Sequence, residues 1–465
     1  DRLIVLGDAS LYIGGSGSTT TLAADISMPG SVTINDSIKA SGVRAINSGA
    51  GSLNLGGKAA HTIDGDGAAG NDLLSISADK NVTFTGTVGG VDPLEGIVIA
   101  TSGDVHFTGD VTIHGDLTIT ASGNVRFDGN LNVMGTLTIT GADSITFNAG
   151  VSAGGNIILA GNAIDFAGGP DSVVGTGSLT LRPKSVGVAI EIASPANPAI
   201  AGVLSIDSTD LLALGDGFSG ITIGYRDVSG HAIANSGGVR LGAVEGAATF
   251  RDNVAIFGRK ITLTDYANGA RSVILAADLA LDAADDIAIE NEVTAVGFGI
   301  SMISAVGEVK QKDDSTDGLT GERLVAATLS VVAHAGIKLT NLDAGTVSAA
   351  NGGSGDIEII HTGVGVLTLS TVTQTSQSGG RVIIGTTAAG LTVAGGVSVA
   401  SGSVTLTAAG DLKSEGAVST AVARPIVMSA TGDLTLTGRI SSNAGAITLT
   451  AGRDVAALAD MDSVG

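Results

Sequence analysis

The sequence predicts an all-β chain wound as a right-handed parallel β-helix, a β-solenoid with 20–23 residues and three short strands per coil. Three observations predict it. Phenylalanine recurs at Phe107, Phe127, Phe147 and Phe166, at intervals of 20, 20 and 19 residues. Glycine recurs at a fixed phase between them, at Gly103, Gly109 and Gly115 and again at Gly123, Gly129 and Gly135. The chain holds 71 glycines among 465 residues, 3 tyrosines and no tryptophan, so a core must come from stacked small and β-branched side chains.

Each phenylalanine closes a triplet. Its first member is aliphatic (Val105, Val125, Ile145, Ile164) and its middle member polar (His106, Arg126, Thr146, Asp165). This in–out–in alternation is the period-two signature of a strand with one buried face. Two further triplets follow at six-residue steps, Val111 to Ile113 and Leu117 to Ile119, then Leu131 to Val133 and Leu137 to Ile139. Their middle residues, Thr112, Thr118, Asn132 and Thr138, suit a wet face. The glycines between triplets mark corners, because glycine tolerates positive φ and close backbone approach. Three strands and three corners make one triangular coil. Stacked at about 4.8 Å, each strand pairs in parallel with its copies and the phenylalanines form a ladder.

The rhythm divides the chain into irregular coils over 1–100, regular 20-residue coils over 101–170, an interrupted stretch over 171–263, and coils with longer corners over 264–465. "KNVTFTG" places Phe84 23 residues before Phe107, and "GSVTLTAAGDL", "GDLTLTGRI" and "GAITLTAGRDV" carry the pattern on. There, Val404 to Val427 is 23 residues and Leu412 to Leu434 is 22. Taken together, about 22 coils are expected in one continuous rod of about 100 Å.

The interruption reads "GTGSLTLRPKSVGVAIEI" from Gly175, then "LSIDSTDLLALGDGFSGITIGYRD" at 204–227 and "FRDNVAIFGRKITL" at 250–263. It resembles a module of giant bacterial exoproteins of the filamentous-haemagglutinin type, in which a "GTGxLTLxP" strand precedes a short insertion and a return to the solenoid. The resemblance covers roughly 90 residues and extends to the flanking glycine-rich repeats. It implies an adhesin of the bacterial surface or exterior. The residues themselves predict a helical turn capped by Ser208 or Thr209, with Leu211, Leu212 and Leu214 reaching inward, ended by Gly217 before "GITIGY" resumes a strand. The family's N-terminal secretion domain and a C-terminal anchor are not found in this sequence, which reads as an internal or processed piece, so secretion is implied by the resemblance alone.

Charge and composition exclude several classes. With 45 acidic and 23 basic residues the net charge is −22, spread along the chain, and no basic stripe offers the counterion release that drives nucleic-acid binding. No cysteine is present, so disulfides and thiolate metal sites are excluded. No apolar run reaches the length of a membrane-spanning helix.

The candidates for chemistry each meet a structural reading. Among the histidines His61, His106, His114, His231, His334 and His361, His106 stands outward on a strand and His114 at a corner, near Asp104, Asp110 and Asp116. They lack the spacing of a transition-metal site and read as solvated surface. "IDGDGAAGNDLLSISADKN" at 63–81 offers Asp64, Asp66 and Asp72 for calcium. It is a single copy of a motif that needs tandem repeats, and Ala69 stands where a helix-loop-helix calcium loop needs glycine. An ordinary glycine–aspartate turn is the competing reading.

"LDAADDIAIENE" at 281–292 and "KQKDDSTDGLTGE" at 310–322 supply paired carboxylates of the kind used in glycoside hydrolysis. They lack an aromatic platform and clustered bases, and read as exposed corner loops. Thr118 with Thr120 and Thr138 with Thr140 suggest an ice-binding array, which Ile157 to Ala160 already interrupts.

The expectation is a non-enzymatic structural and adhesive rod segment of a secreted or cell-surface exoprotein. No catalytic, cofactor or metal site is assigned to it. Its expected partners are its own copies, end to end or side by side, and surface glycans, without nucleic acid. A polysaccharide-active β-helix and a calcium-stabilised rod are the alternatives.

Overall fold

The computed structural model describes all residues except 1, 5–8, 15–16, 68–70, 195–201, 244–248, 266–271, 313–322 and 465. They form a parallel β-solenoid of about 19 turns with one short helix. The triplets fold as their alternation requires. Val105–Phe107 pairs with Val125–Phe127 residue for residue, and that strand in turn with Ile145, Thr146 and Phe147. The inward members are buried and the middle ones face outward.

Consequently the phenylalanines stack. The ladder runs Phe84, Phe107, Phe127, Phe147, Phe166, with ring centroids 4.3, 4.7, 5.3 and 5.7 Å apart and planes within 13° of parallel. Every ring is at most 3% exposed. The 23-residue step from Phe84 to Phe107 therefore keeps the rung in place, its extra residues absorbed in the corners.

The chain divides into two compact units, one of Asp1–Glu191 with Pro195–Gly224, the other of Ile192–Ser194 with Tyr225–Gly465. The first contains the phenylalanine ladder. In the second one core file is aliphatic: Ile287, Val309, Ile337, Ile357, Val382, Val404 and Ile426 succeed one another in register, each at most 1% exposed.

Four details depart from the sequence reading. There are about 19 turns instead of about 22, because several coils take more than 20–23 residues: Leu53 pairs with Val82, Val309 with Ile337, and Leu179 with Ile221. Strands also run through some corners, as in Val111–Ala121 and Leu137–Phe147, where the corner backbones bond coil to coil (Gly135 N to Gly115 O, 2.9 Å). Val404 pairs with Ile426, and Val427 faces outward beside Thr405. A slip of one residue would have exchanged the buried and wet faces. Lastly, the regular corner glycines do not have positive φ. Close approach requires them: a Cβ on Gly115 would lie 2.0 Å from Glu95 O, and one on Gly109 2.4 Å from Gly86 O.

The same corners employ several of the aspartates. Asp104, Asp110 and Asp116 each accept, at 2.7 Å, the backbone N–H of the residue one coil on, Asn124, Asn130 and Thr136. Asp356, Asp411 and Asp433 do the same for Arg381, Asp433 and Asp454 in the second unit. A short acceptor beside each glycine satisfies an amide that the turn would leave unpaired.

The ladder sets the first prediction. Phe127→Ala removes a fully buried ring between two others and should cost unit one about 3–5 kcal/mol. Thr118→Ala, on the outward face, should change stability by less than about 0.5 kcal/mol. Denaturant unfolding followed by circular dichroism checks both, and equal effects would contradict the stacked core.

Candidate functional site

The regular stack of coils is interrupted after Ser178–Arg182, whose partner strand is Gly220–Gly224. Between them lies the helix Ser208–Ala213. Its N-cap is Asp207, not Ser208 or Thr209: the Asp207 carboxylate accepts Thr209 N (2.8 Å) and Asp210 N (3.0 Å), and Asp210 returns to Asp207 N at 2.9 Å. Asp207 is extended at φ −81°, ψ −177°, as a cap must be, which makes Ser208 the first helical residue. Leu211 and Leu214 are buried as expected, whereas Leu212 is 52% exposed. Residues three apart share a helix face, and their immediate neighbour does not. Beyond the helix Gly217 turns the chain at φ +121°.

Asp210 is the unusual group here. It is 5% exposed, and its second oxygen accepts Phe166 N at 2.9 Å, which ties the helix to the end of the strand Ile157–Phe166. Burial pushes its carboxyl up; the two backbone donors pull it down, and the charges of Asp207 and Asp165 push it up again, to about 7. Burial and Asp207 also raise Asp165.

The six histidines are separate. His106 Nε2 meets Asp128 Oδ2 at 2.7 Å, and Asp128 also accepts Arg126 Nε (2.6 Å) and Asn148 Nδ2 (2.7 Å). Burial would raise that carboxyl, but the hydrogen bonds from Arg126, His106 and Asn148 outweigh it and hold it below the ordinary range. His114 lies 3.8 Å from Glu95, while Asp104, Asp110 and Asp116 serve the corners. His334 is exposed beside Gly353. His61 and His361 are buried: His61 Nδ1 is 2.9 Å from Gly56 O and His361 Nε2 is 2.9 Å from Gly365 O. His231 Nδ1 lies 2.8 Å from the buried Asp282, whose hydrogen bond raises the imidazole above its usual value.

The carboxylate candidates are likewise held by the scaffold. Asp64 and Asp72 are buried; Asp64 accepts Val91 N (3.1 Å), and Asp72 accepts Gly42 N (2.6 Å) and Asp66 N (3.0 Å). Ala69 lies outside the described residues. In 281–292, Asp282 takes His231, Asp285 takes Arg259 at 2.8 Å and Asp286 accepts Glu308 N at 3.1 Å, so the acids point to different partners. Residues 313–322 of the second cluster lie outside the described residues. Among the described residues no group of three or more His, Asp or Glu side chains is placed to hold a metal ion, and no helix is long and apolar enough to cross a membrane. Thr118 and Thr120 stack on Thr138 and Thr140, but the next coil presents Ile158 and Ala160.

Sequence reasoning missed the inward polar rungs. Asn351 stacks on Gln374, each 1% exposed, with Asn351 Nδ2 3.3 Å from Gln374 Oε1. Buried Gln311 accepts Thr340 N and Asn341 N at 2.8 and 2.9 Å. Their signal was an amide where a strand's inward residue should be aliphatic, as in "VKQ" at 309–311.

Comparison with protein-family models, with curated proteins and with solved structures returned no match.

The buried Asp210 gives a pH prediction. A carboxyl raised from 3.8 to about 7 holds a proton in the folded state that the unfolded chain has released, so stability falls as pH rises through that window. Hydrogen exchange of the Ser208–Ala213 amides, corrected for intrinsic rates, should show protection decreasing over this range, on the order of 1 kcal/mol per pH unit at most. Asp210→Asn should flatten that dependence. An unchanged slope in the variant would assign it to another group.

Proposed function

We propose that the chain is a structural and adhesive segment of a secreted or cell-surface bacterial exoprotein, and that it is not an enzyme. What carries this reading is the use of its polar groups. The aspartates, histidines and buried amides that chemistry would need are largely spent on corner amides, on one another and on backbone carbonyls, as with Asp104, Asp110, Asp116 and His361. A stack of in-register strands is stiff because every coil bonds to two neighbours, which suits a part that projects or spaces binding regions. The resemblance of 175–263 to haemagglutinin-type modules supports the adhesive half of the proposal. Its partners on this reading are further copies of the chain, meeting at strand edges or sides, and surface glycans.

Electron microscopy of the purified chain and retention of chain-coated beads on bacterial or host cells test the proposal together. Fibre formation or saturable retention is the expected result. A monomeric chain that neither adheres nor assembles, and that turns over acidic polysaccharide until Asp285 and Asp286 are neutralised, would overturn it.

A further inference from the structure

Beside the helix, the first unit has a groove of about 500 Å³. Its floor is the outward face of three successive coils: Asn132, Ser152 and Val174 lie in register, followed at the corner by Met134, Gly154 and Thr176. Its wall is the chain leaving the helix. Gly215 N bonds Val173 O at 2.8 Å and Ser219 N bonds Gly177 O at 3.0 Å, so Asp216, Gly217 and Phe218 arch between two fixed points. Phe218 is buried beneath the arch, against Gly175, where a Cβ would lie 2.9 Å from its ring. Close approach of the coils requires glycine at 154, since a Cβ there would lie 2.3 Å from Met134 O.

The lining carries unspent polar groups gathered around one hollow. The side chains of Asn132, Ser152 and Asp216 have no hydrogen-bond or ion-pair partner among the described residues, and Thr176 Oγ1 donates to Gly154 O at 3.0 Å with its acceptor capacity free. Met134, 55% exposed, and Val174, 39% exposed, add an apolar surface among them.

This combination selects an occupant. The floor strands spend their backbone amides on the stack, so an extended peptide finds no edge to join. No lysine, arginine or histidine lines the groove, so sulfate, phosphate or carboxylate would meet Asp216 without a counter-charge. An amide, hydroxyls and a carboxylate match ligand hydroxyls that both donate and accept, and the apolar patch matches a face of C–H groups. The volume falls within the roughly 300–1,000 Å³ of small-ligand sites.

We propose that the groove formed by Asn132, Ser152, Val174 and the Asp216–Gly217 arch binds a neutral oligosaccharide. The assignment deepens the adhesive reading and rests on it for its biological sense.

Saturation-transfer NMR of the full chain with neutral hexasaccharides of glucose, mannose and galactose, and with a heparin hexasaccharide, tests it. Transfer to at least one neutral sugar and none to heparin is expected. Asn132→Ala and Asp216→Ala, both outside the core, should each weaken binding about tenfold without changing thermal unfolding. Failure of all neutral sugars, binding of heparin alone, or affinity unchanged in both variants would overturn the assignment. Bead retention that survives in both variants would then leave the adhesive reading standing without the groove.

Discussion

Each coil is bound to the next by backbone hydrogen bonds directed along the stack, and parallel in-register pairing places like residues above like. That constraint makes the phenylalanines of the first unit into a ladder of stacked rings and the aliphatic residues of the second into continuous files. It also fixes the corners. Where successive coils turn together, backbone approaches backbone too closely for a Cβ, and glycine stands there for space instead of handedness. Each turn leaves an amide in need of an acceptor, and aspartate or asparagine beside the glycine supplies it. Some of the negative charge of the chain is thus a by-product of turning many corners.

The same constraint separates scaffold from surface. A side chain used by the stack is not available to a ligand, which is why the clusters that look chemical along the chain disperse in space: Asp282, Asp285 and Asp286 each face a different partner. Where the stack is interrupted, unspent side chains gather around one groove. The insertion around the helix Ser208–Ala213 breaks the coil length and anchors itself with the buried Asp210. It then returns over an arch that leaves Asn132, Ser152 and Asp216 unspent.

The fold was legible because the period was carried by large, unmistakable residues. Phe107 to Phe166 and the glycines of the regular coils are enough to place strands, faces and corners in that stretch. Elsewhere the signal was degenerate: "VARPIVMSA" offers two neighbouring aliphatic residues, and only the partner coil selects Ile426 over Val427 as the inward one. Coil number was overestimated because residues in insertions and long corners add length without adding a turn. The helix cap was placed one or two residues late because serine, threonine and aspartate all cap well, and the choice depends on the backbone of Asp207. The groove was not legible at all. Its residues are distant in sequence, outward-facing and individually ordinary, and the arch that unites them exists only once Gly215 and Ser219 are tied back to the stack.

The most direct test of the account is the distance between coils. Because the chain has no cysteine, pairs of cysteines can be introduced and spin-labelled on the outward file Thr118, Thr138, Ile158 and Thr180. Backbone separations of about 5 Å for labels at 118 and 138, and about 14 Å for labels at 118 and 180, are predicted from one and three strand spacings. Dipolar spectra that instead place labels at 118 and 138 beyond about 20 Å would contradict parallel, in-register stacking and everything built on it.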